Sequence, residues 1–415
     1  MNHFIVALVR GSGDVGAAVA HALYMGGVKV IVHDESAPAH PRRGMSFVDA
    51  LFTGKAVLDG VVAQHVADMD ARLDVAALDD HIPVCSRPLQ EVLEHFEPDV
   101  LIDARMRKRA TIEDQRPLAR TVIGLGPGFD TGRNCTVAIE TVRGDTLGKV
   151  IRNGPTAAYS GEPHPLAGVG RERFIYAPRG GVWHTDHRIG QTVVQGQPVG
   201  SIGDLPVQAP LDGALRGLTH DGVEVAARQK ILEVDPRLDA VVTGRGERPC
   251  AIAQGVLHAL HLQADPISQF FAFERSYQPL LDCMPMSMRR KLDLCGLRLH
   301  LALWRSLSIE IRRTMLDAAC ENQADARRLR RLIELVLGET SGAHPQFTQA
   351  GSADWPDAGH VPGQVLEVLQ ASSLPPISPV AWTNLSDLQR FALCKLISKR
   401  SSRNLLPALA EFGLA

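Results

Sequence analysis

The sequence predicts a mixed architecture: a parallel α/β sheet first, a small all-β module next, and an all-α domain toward the C-terminal end. Three observations lead there. In the first 170 residues, apolar runs fit for doubly buried strands alternate with segments of helical period. From about Phe174 to Val234, short alternating runs are separated by Gly180-Gly181, Asp212-Gly213 and Asp221-Gly222. Beyond Ala264, long stretches of helical period take over. At roughly 100–200 residues per domain, a chain of 415 residues holds more than one domain.

The elements follow in order. Phe4 to Val9 is a continuous apolar run suited to a buried first strand. An Ala-rich helix runs from the glycine turn after it to about Tyr24, where Gly26-Gly27 ends it. Val28 to Val32 is the second strand and runs into Asp34-Glu35. Two further strands end at chemically loaded loops. Val100-Leu101-Ile102 leads to Asp103, and Thr121-Val122-Ile123 leads to Gly124-Leu125-Gly126-Pro127-Gly128-Phe129. The short β strands occupy 171–236, and the segment 237–265 is expected to return to the α/β domain of residues 1–170. Residues 266–415 form the helical domain, with a loop expected at 338–379, where Gly, Pro, Ser, Ala and Asp are frequent.

Composition narrows the function. Hydrophobic residues make up 45% and charged residues 22%, an ordinary globular balance. Lys+Arg is 44 against Asp+Glu 46, without the basic excess of a nucleic-acid binder. The C-terminal part from Pro266 holds 17 Lys+Arg against 14 Asp+Glu, and the first 265 residues hold 27 against 32. No run reaches the roughly 18 apolar residues of a membrane span, and the N-terminus lacks the basic start and cleavage site of a signal peptide. The expected location is cytoplasmic. The seven cysteines, scattered and without CxxC, read as small buried hydrophobes, not as a disulfide framework or zinc site. His184 and His187 have no third ligand near in sequence, so no metal site is expected.

Gly11, Gly13 and Gly16 form GxGxxG between a strand and a helix, the context in which that motif binds a dinucleotide on a Rossmann-like sheet. The helix N-terminus offers free N–H groups to a phosphate. Asp34, at the end of the second strand, is placed to accept from a ribose hydroxyl. Asp14 would repel a diphosphate, or else cap the helix. Gly124, Gly126 and Gly128 make a second glycine loop at the same sheet edge, with Phe129 suited to stack on a ring. Arg42, Arg43, Asp103, Arg105, Lys108 and Arg109 could bring charge there, suited to an anion. No catalytic residue stands out: GxSxG, HExxH and Walker A patterns are absent from the sequence.

Residues 1–262 resemble the selenium-dependent molybdenum hydroxylase system protein family through RGSGDVGAAVAHAL (10–23), RRGMSFVDALFTG (42–54), PDVLIDARMRKR (98–109) and VIGLGPGFDTG (122–132). Residues 174–236 resemble a biotinyl/lipoyl-type barrel-sandwich hybrid, on the run Val207-Gln208-Ala209-Pro210-Leu211-Asp212-Gly213. The carrier domains place a lysine on the preceding hairpin. This one reads Gly203-Asp204-Leu205-Pro206, so no covalent biotin or lipoate is expected. Residues 270–414 resemble the nitrate reductase-associated protein family, on CMPMSMRRKLDLCGLRLHLALWRSLS (283–308) and LQRFALCKLISKRSSRNLLPALAEFGL (388–414).

Together these resemblances imply an accessory protein for maturation of a molybdenum enzyme. The glycine loops would hold a nucleotide or pterin dinucleotide of open identity. The helical domain would dock the molybdenum enzyme or its chaperone, with nitrate reductase as one candidate, and Lys395, Lys399, Arg400 and Arg403 are candidate docking residues. The alternative is an NAD(P)-dependent oxidoreductase using Gly11, Gly13, Gly16 and Asp34.

Overall fold

The computed structural model describes residues 5–67, 80–107, 110–159, 161, 163–260, 262, 270–277, 280–341, 345–347, 355–372, 374–398 and 404–414. Its backbone contacts divide the chain into two compact units, Met1–Leu262 and Gln263–Ala415.

The first unit opens with β1 (Val6–Arg10), whose five residues are all buried. A turn through Gly11 leads to α1 (Asp14–Met25), buried along its length from Val15 to Met25 because its alanines let it lie close on the sheet. Then come β2 (Lys29–His33), α2 (Ala50–Thr53), β3 (Lys55–Leu58), β4 (Val61–His65), β5 (Ile82–Cys85), α3 (Leu89–Phe96), β6 (Val100–Asp103), β7 (Thr121–Leu125), β8 (Val137–Ile139) and β9 (Val150–Ile151). The strands form one sheet in the order β3-β4-β5-β2-β1-β6-β7-β8-β9. The pairs from β4 through β8 are parallel, and the two edge pairs are antiparallel. The order turns back at β1, with β2 on one side and β6 on the other. Such a switch point is where open α/β sheets place their ligand crevice.

The all-β segment follows with β10 (Phe174–Tyr176), β11 (Gly181–His184), β12 (Thr192–Val193), β13 (Pro198–Ile202), β14 (Leu205–Gln208), β15 (Gly213–Leu218), β16 (Glu224–Val225) and β17 (Lys230–Asp235). These strands make two four-stranded sheets, β10-β17-β15-β12 and β14-β13-β11-β16. The sheets share one core, in which Trp183, Val199, Ile202 and Val207 meet Leu215, Leu218, Ile231 and Val234. α4 (Glu247–Ala259) then returns to pack on α1, β8 and β9.

The second unit contains α5 (Met286–Leu294), β18 (Leu297–Arg298), α6 (Leu301–Ser306), α7 (Ile309–Asp317), α8 (Gln323–Ser341), β19 (Gln346–Phe347), α9 (Gly363–Ala371), α10 (Pro379–Thr383), α11 (Asp387–Ile397) and α12 (Leu405–Glu411). α11 starts on a capping box, in which Ser386 and Gln389 satisfy each other's backbone N–H. The stretch 338–379, expected as a loop, contains α9. Val361, Val365 and Leu369 of that stretch join Trp382, Leu393 and Ile397 in one core, and Trp355 is buried beside Phe391. Its apolar residues recur at helical spacing, and that periodicity outweighs the Gly/Pro-rich composition. Among the described residues, no helix is long and apolar enough to cross a membrane.

Candidate functional site

The glycine loop sits at the switch point and is tight throughout. Gly11 has φ 110° and lies against the loop after β6: a Cβ there would stand 3.1 Å from the Ala104 and Arg105 backbone. A Cβ on Gly16 would lie 1.9 Å from the Gly11 carbonyl oxygen. The first and third glycines therefore serve close packing of loop, strand and helix, as their places in the motif require. Gly13 is the residue before α1, and its open face is covered by His40, whose Nδ1 would be 3.3 Å from an added Cβ.

Asp34 is buried and turned into this loop. Its Oδ2 accepts from the Ser12 amide at 2.6 Å and the Ser12 hydroxyl at 2.7 Å, and pairs with His40 Nε2 at 3.0 Å. Burial opposes its charge, but His40 and Ser12 more than offset that and hold the carboxyl at about 2. Burial likewise opposes charge on His40, and the Asp34 carboxylate raises it above the ordinary imidazole value. The oxygen expected to receive a ribose hydroxyl is thus engaged by protein groups. Ser12 and His40 were missed from sequence, because neither belongs to the glycine spacing.

Asp14 does not cap α1; it is the first helical residue and bonds its neighbour's amide. Its other oxygen takes Arg42 Nη1 at 2.8 Å. Arg42 also spans to the β module, giving Nε and Nη2 to Glu233 at 2.9 and 3.1 Å. Burial works against the Arg42 charge, and Asp14 with Glu233 more than restores it, raising the guanidinium above its ordinary value. Glu233 is fully buried and also binds Arg173 and Lys230. Burial lowers Lys230 to about 8 despite the Glu233 carboxylate. Arg42 is therefore a strut between glycine loop and β module. Arg43 is separate, bound to Asp49 at 2.7 Å. Glu233 had one signal in the sequence, a carboxylate inside the apolar strand run Ile231-Leu232-Glu233-Val234.

Beside this lies a second polar cluster. Buried Asp103, at the end of β6, accepts from Arg105, Arg107 and Gln115, and Gln115 in turn accepts from Arg10 Nη1 at 2.7 Å. Burial would raise the Asp103 carboxyl, but the Arg105 hydrogen bonds hold it below the ordinary range. Burial and the nearby Arg105 lower Arg10 to about 10. Lys108 and Arg109 lie outside the described residues. The second glycine loop packs inward. Phe129 is buried in the sheet core, with its ring where a Gly124 Cβ would be, 2.1 Å from that position. This corrects the expectation of a ring face open for stacking. Gly126 (φ 88°) and Gly128 (φ 91°) take left-handed turns, and their carbonyls accept from Thr156 and Asn134.

Elsewhere, His184 pairs with Asp221 at 3.3 Å and His187 lies near Gln197, so the two histidines have different partners. Among the described residues, no group of three His, Cys, Asp or Glu side chains is gathered to hold a metal. Gly203 and Asp204 form the tip between β13 and β14. In the second unit Lys395 is 3.7 Å from Asp293, while Lys399, Arg400 and Arg403 lie outside the described residues.

Residues 270–412 match the family model of the conserved nitrate reductase-associated protein. Over 256 residues, 61% of this chain, the sequence is 34% identical to the uncharacterized protein YqeB of Escherichia coli (strain K12). The match covers 47% of that protein, so the chain spans about half the length of this curated relative. Two solved structures align with 56% of the chain and 85% of their own: the ectoine utilization protein EutE (DoeB) from Ruegeria pomeroyi, at 11% identity and TM-score 0.18, and a succinylglutamatedesuccinylase/aspartoacylase from Rhodobacter sphaeroides, at 14% and 0.17. Those scores are too low to bear on fold or function.

Proposed function

We propose that this protein is an accessory factor in the maturation of a molybdenum enzyme, with an enzyme of nitrate reduction as its client. The observation that carries the reading is the match of residues 270–412 to the nitrate reductase-associated family. The resemblance of residues 1–262 to a molybdenum hydroxylase accessory family points the same way. In this reading the second unit docks the client or its chaperone, and the first unit holds a phosphate-bearing nucleotide or pterin dinucleotide at the glycine loop.

The loop fits such a ligand in its backbone and resists it in its side chains. The start of a twelve-residue helix behind Gly11 and Gly13 suits a phosphate. His40, however, covers Gly13 and holds Asp34. Binding therefore requires His40 to swing off Gly13, which also frees Asp34 for a hydroxyl of the ligand.

Calorimetry with adenine and guanine dinucleotides tests this. Gly13→Val fills the approach to the backbone and is expected to weaken binding at least tenfold, about 1.4 kcal/mol. His40→Ala is expected to leave binding no weaker than in wild type. Equal affinity of Gly13→Val and wild type would remove the glycine loop from the reading.

A further inference from the structure

Two thiols of the second unit stand together in a way the proposed function does not use. Cys295 follows the last residue of α5, and Cys320 lies three residues before α8. Both are buried, with exposures of 5% and 1%. One backbone carbonyl, that of Lys291, joins them: it accepts the Cys295 amide at 2.9 Å and lies 3.9 Å from the Cys320 Sγ. The two thiols are close enough for each to shift the other's titration. Cys295 Sγ also reaches the Ala326 carbonyl in the first turn of α8, at 3.3 Å.

The surroundings distinguish the two sulfurs. The neighbouring Cys295, with the nearby charges of Lys291 and Arg290, holds the Cys320 thiol below its ordinary value although burial opposes this. The neighbouring Cys320, then burial, pushes Cys295 up. Lys291 is itself fixed across the gap, giving Nζ to the Leu316 and Ala318 carbonyls just before Cys320. A cation thus stands beside one member of a buried dithiol. Cys85 and Cys135 are packed in the first unit's sheet core.

We infer that Cys295 and Cys320 are a reversible dithiol–disulfide pair that reacts with low-molecular-weight disulfides of the glutathione class. The Cys320 thiolate attacks one sulfur of the disulfide, forming a mixed disulfide and expelling one thiolate. Cys295 then loses its proton to that thiolate and attacks the Cys320 sulfur, forming the Cys295–Cys320 bond and expelling the second thiolate, which takes a proton from water. The two protein thiols are oxidised and the small disulfide is reduced to two thiols, so no further oxidant is needed. Because Cys320 is almost fully buried, the segment between α7 and α8 must open for the reagent to enter. The closed bond would tie the end of α5 to the start of α8.

The test uses the full chain, reduced and then incubated with oxidised glutathione. The disulfides are mapped by mass spectrometry of a non-reducing digest. The expected result is a Cys295–Cys320 linked peptide in most molecules, reversed by dithiothreitol, with a higher melting temperature for the oxidised chain. Cys295→Ser is expected to stop at one glutathione on Cys320, and Cys320→Ser to leave Cys295 unmodified. Both variants should melt like wild type when reduced. A folded wild-type chain that keeps both thiols free, or that links either one to another cysteine as often, overturns the inference.

Discussion

At the scale of single residues, the Asp34–His40–Ser12 cluster decides how the glycine loop is held. Asp34 titrates at about 2 against an ordinary 3.8. A depressed carboxylate adds stability above the unfolded value, and that stability is lost as pH falls through the folded one. His40 is raised, so its share is present below an ordinary imidazole pKa and lost as pH rises through its folded value. Stability of the loop should therefore be greatest between about pH 4 and 6.5. Asp34→Asn should cost about 2 kcal/mol near neutral pH and flatten both limbs. Hydrogen exchange of the α1 amides against pH is the measurement. An unchanged profile in Asp34→Asn would show that the cluster does not hold the loop. None of this was legible in the sequence beyond Asp34 itself. His40 falls in an irregular stretch with no period, and only the folded turn brings it over Gly13.

At the scale of elements, packing distances rank the glycines. At Gly16 an added Cβ meets a backbone oxygen at 1.9 Å, which cannot move aside without displacing α1. At Gly54 nothing lies within 4 Å and only the left-handed φ of 83° opposes a side chain. Gly16→Ala should cost about 3 kcal/mol or more, and Gly54→Ala about 1 kcal/mol, as read by urea denaturation. Comparable losses would contradict the packing account. The β module hangs on a different device. Glu233 is fully buried and bound by Arg42, Arg173 and Lys230. Removing one member of such a group strands the others, so Glu233→Gln should cost about 3–5 kcal/mol. It should also free β17 from the glycine loop, seen as faster exchange at both. The alternation of apolar runs with helical segments made the parallel sheet and the helical C-terminal region legible. The inward packing of Phe129 was not, because a Gly-rich loop at a sheet edge reads alike whether its aromatic points to ligand or core. α9 was hidden for a related reason: composition averaged over 338–379 masked a short run of helical period.

At the scale of the whole molecule, the chain joins an α/β unit with a polar, tightly tied glycine loop to a helical unit matching a nitrate reductase-associated family. The proposal rests on the second unit's family match; over 256 residues the chain is 34% identical to an uncharacterized protein, which adds no function to it. The near-neutral balance of 44 basic and 46 acidic residues fits a protein or small-molecule partner better than nucleic acid. The central claim is that the partner is a molybdenum enzyme or its chaperone. The most direct measurement is quantitative affinity purification of the tagged full chain from a host grown on nitrate, with an unrelated tagged protein as control. The account predicts strong enrichment of a molybdenum enzyme or its dedicated chaperone. A folded, well-expressed chain that enriches no molybdenum-related protein would contradict it.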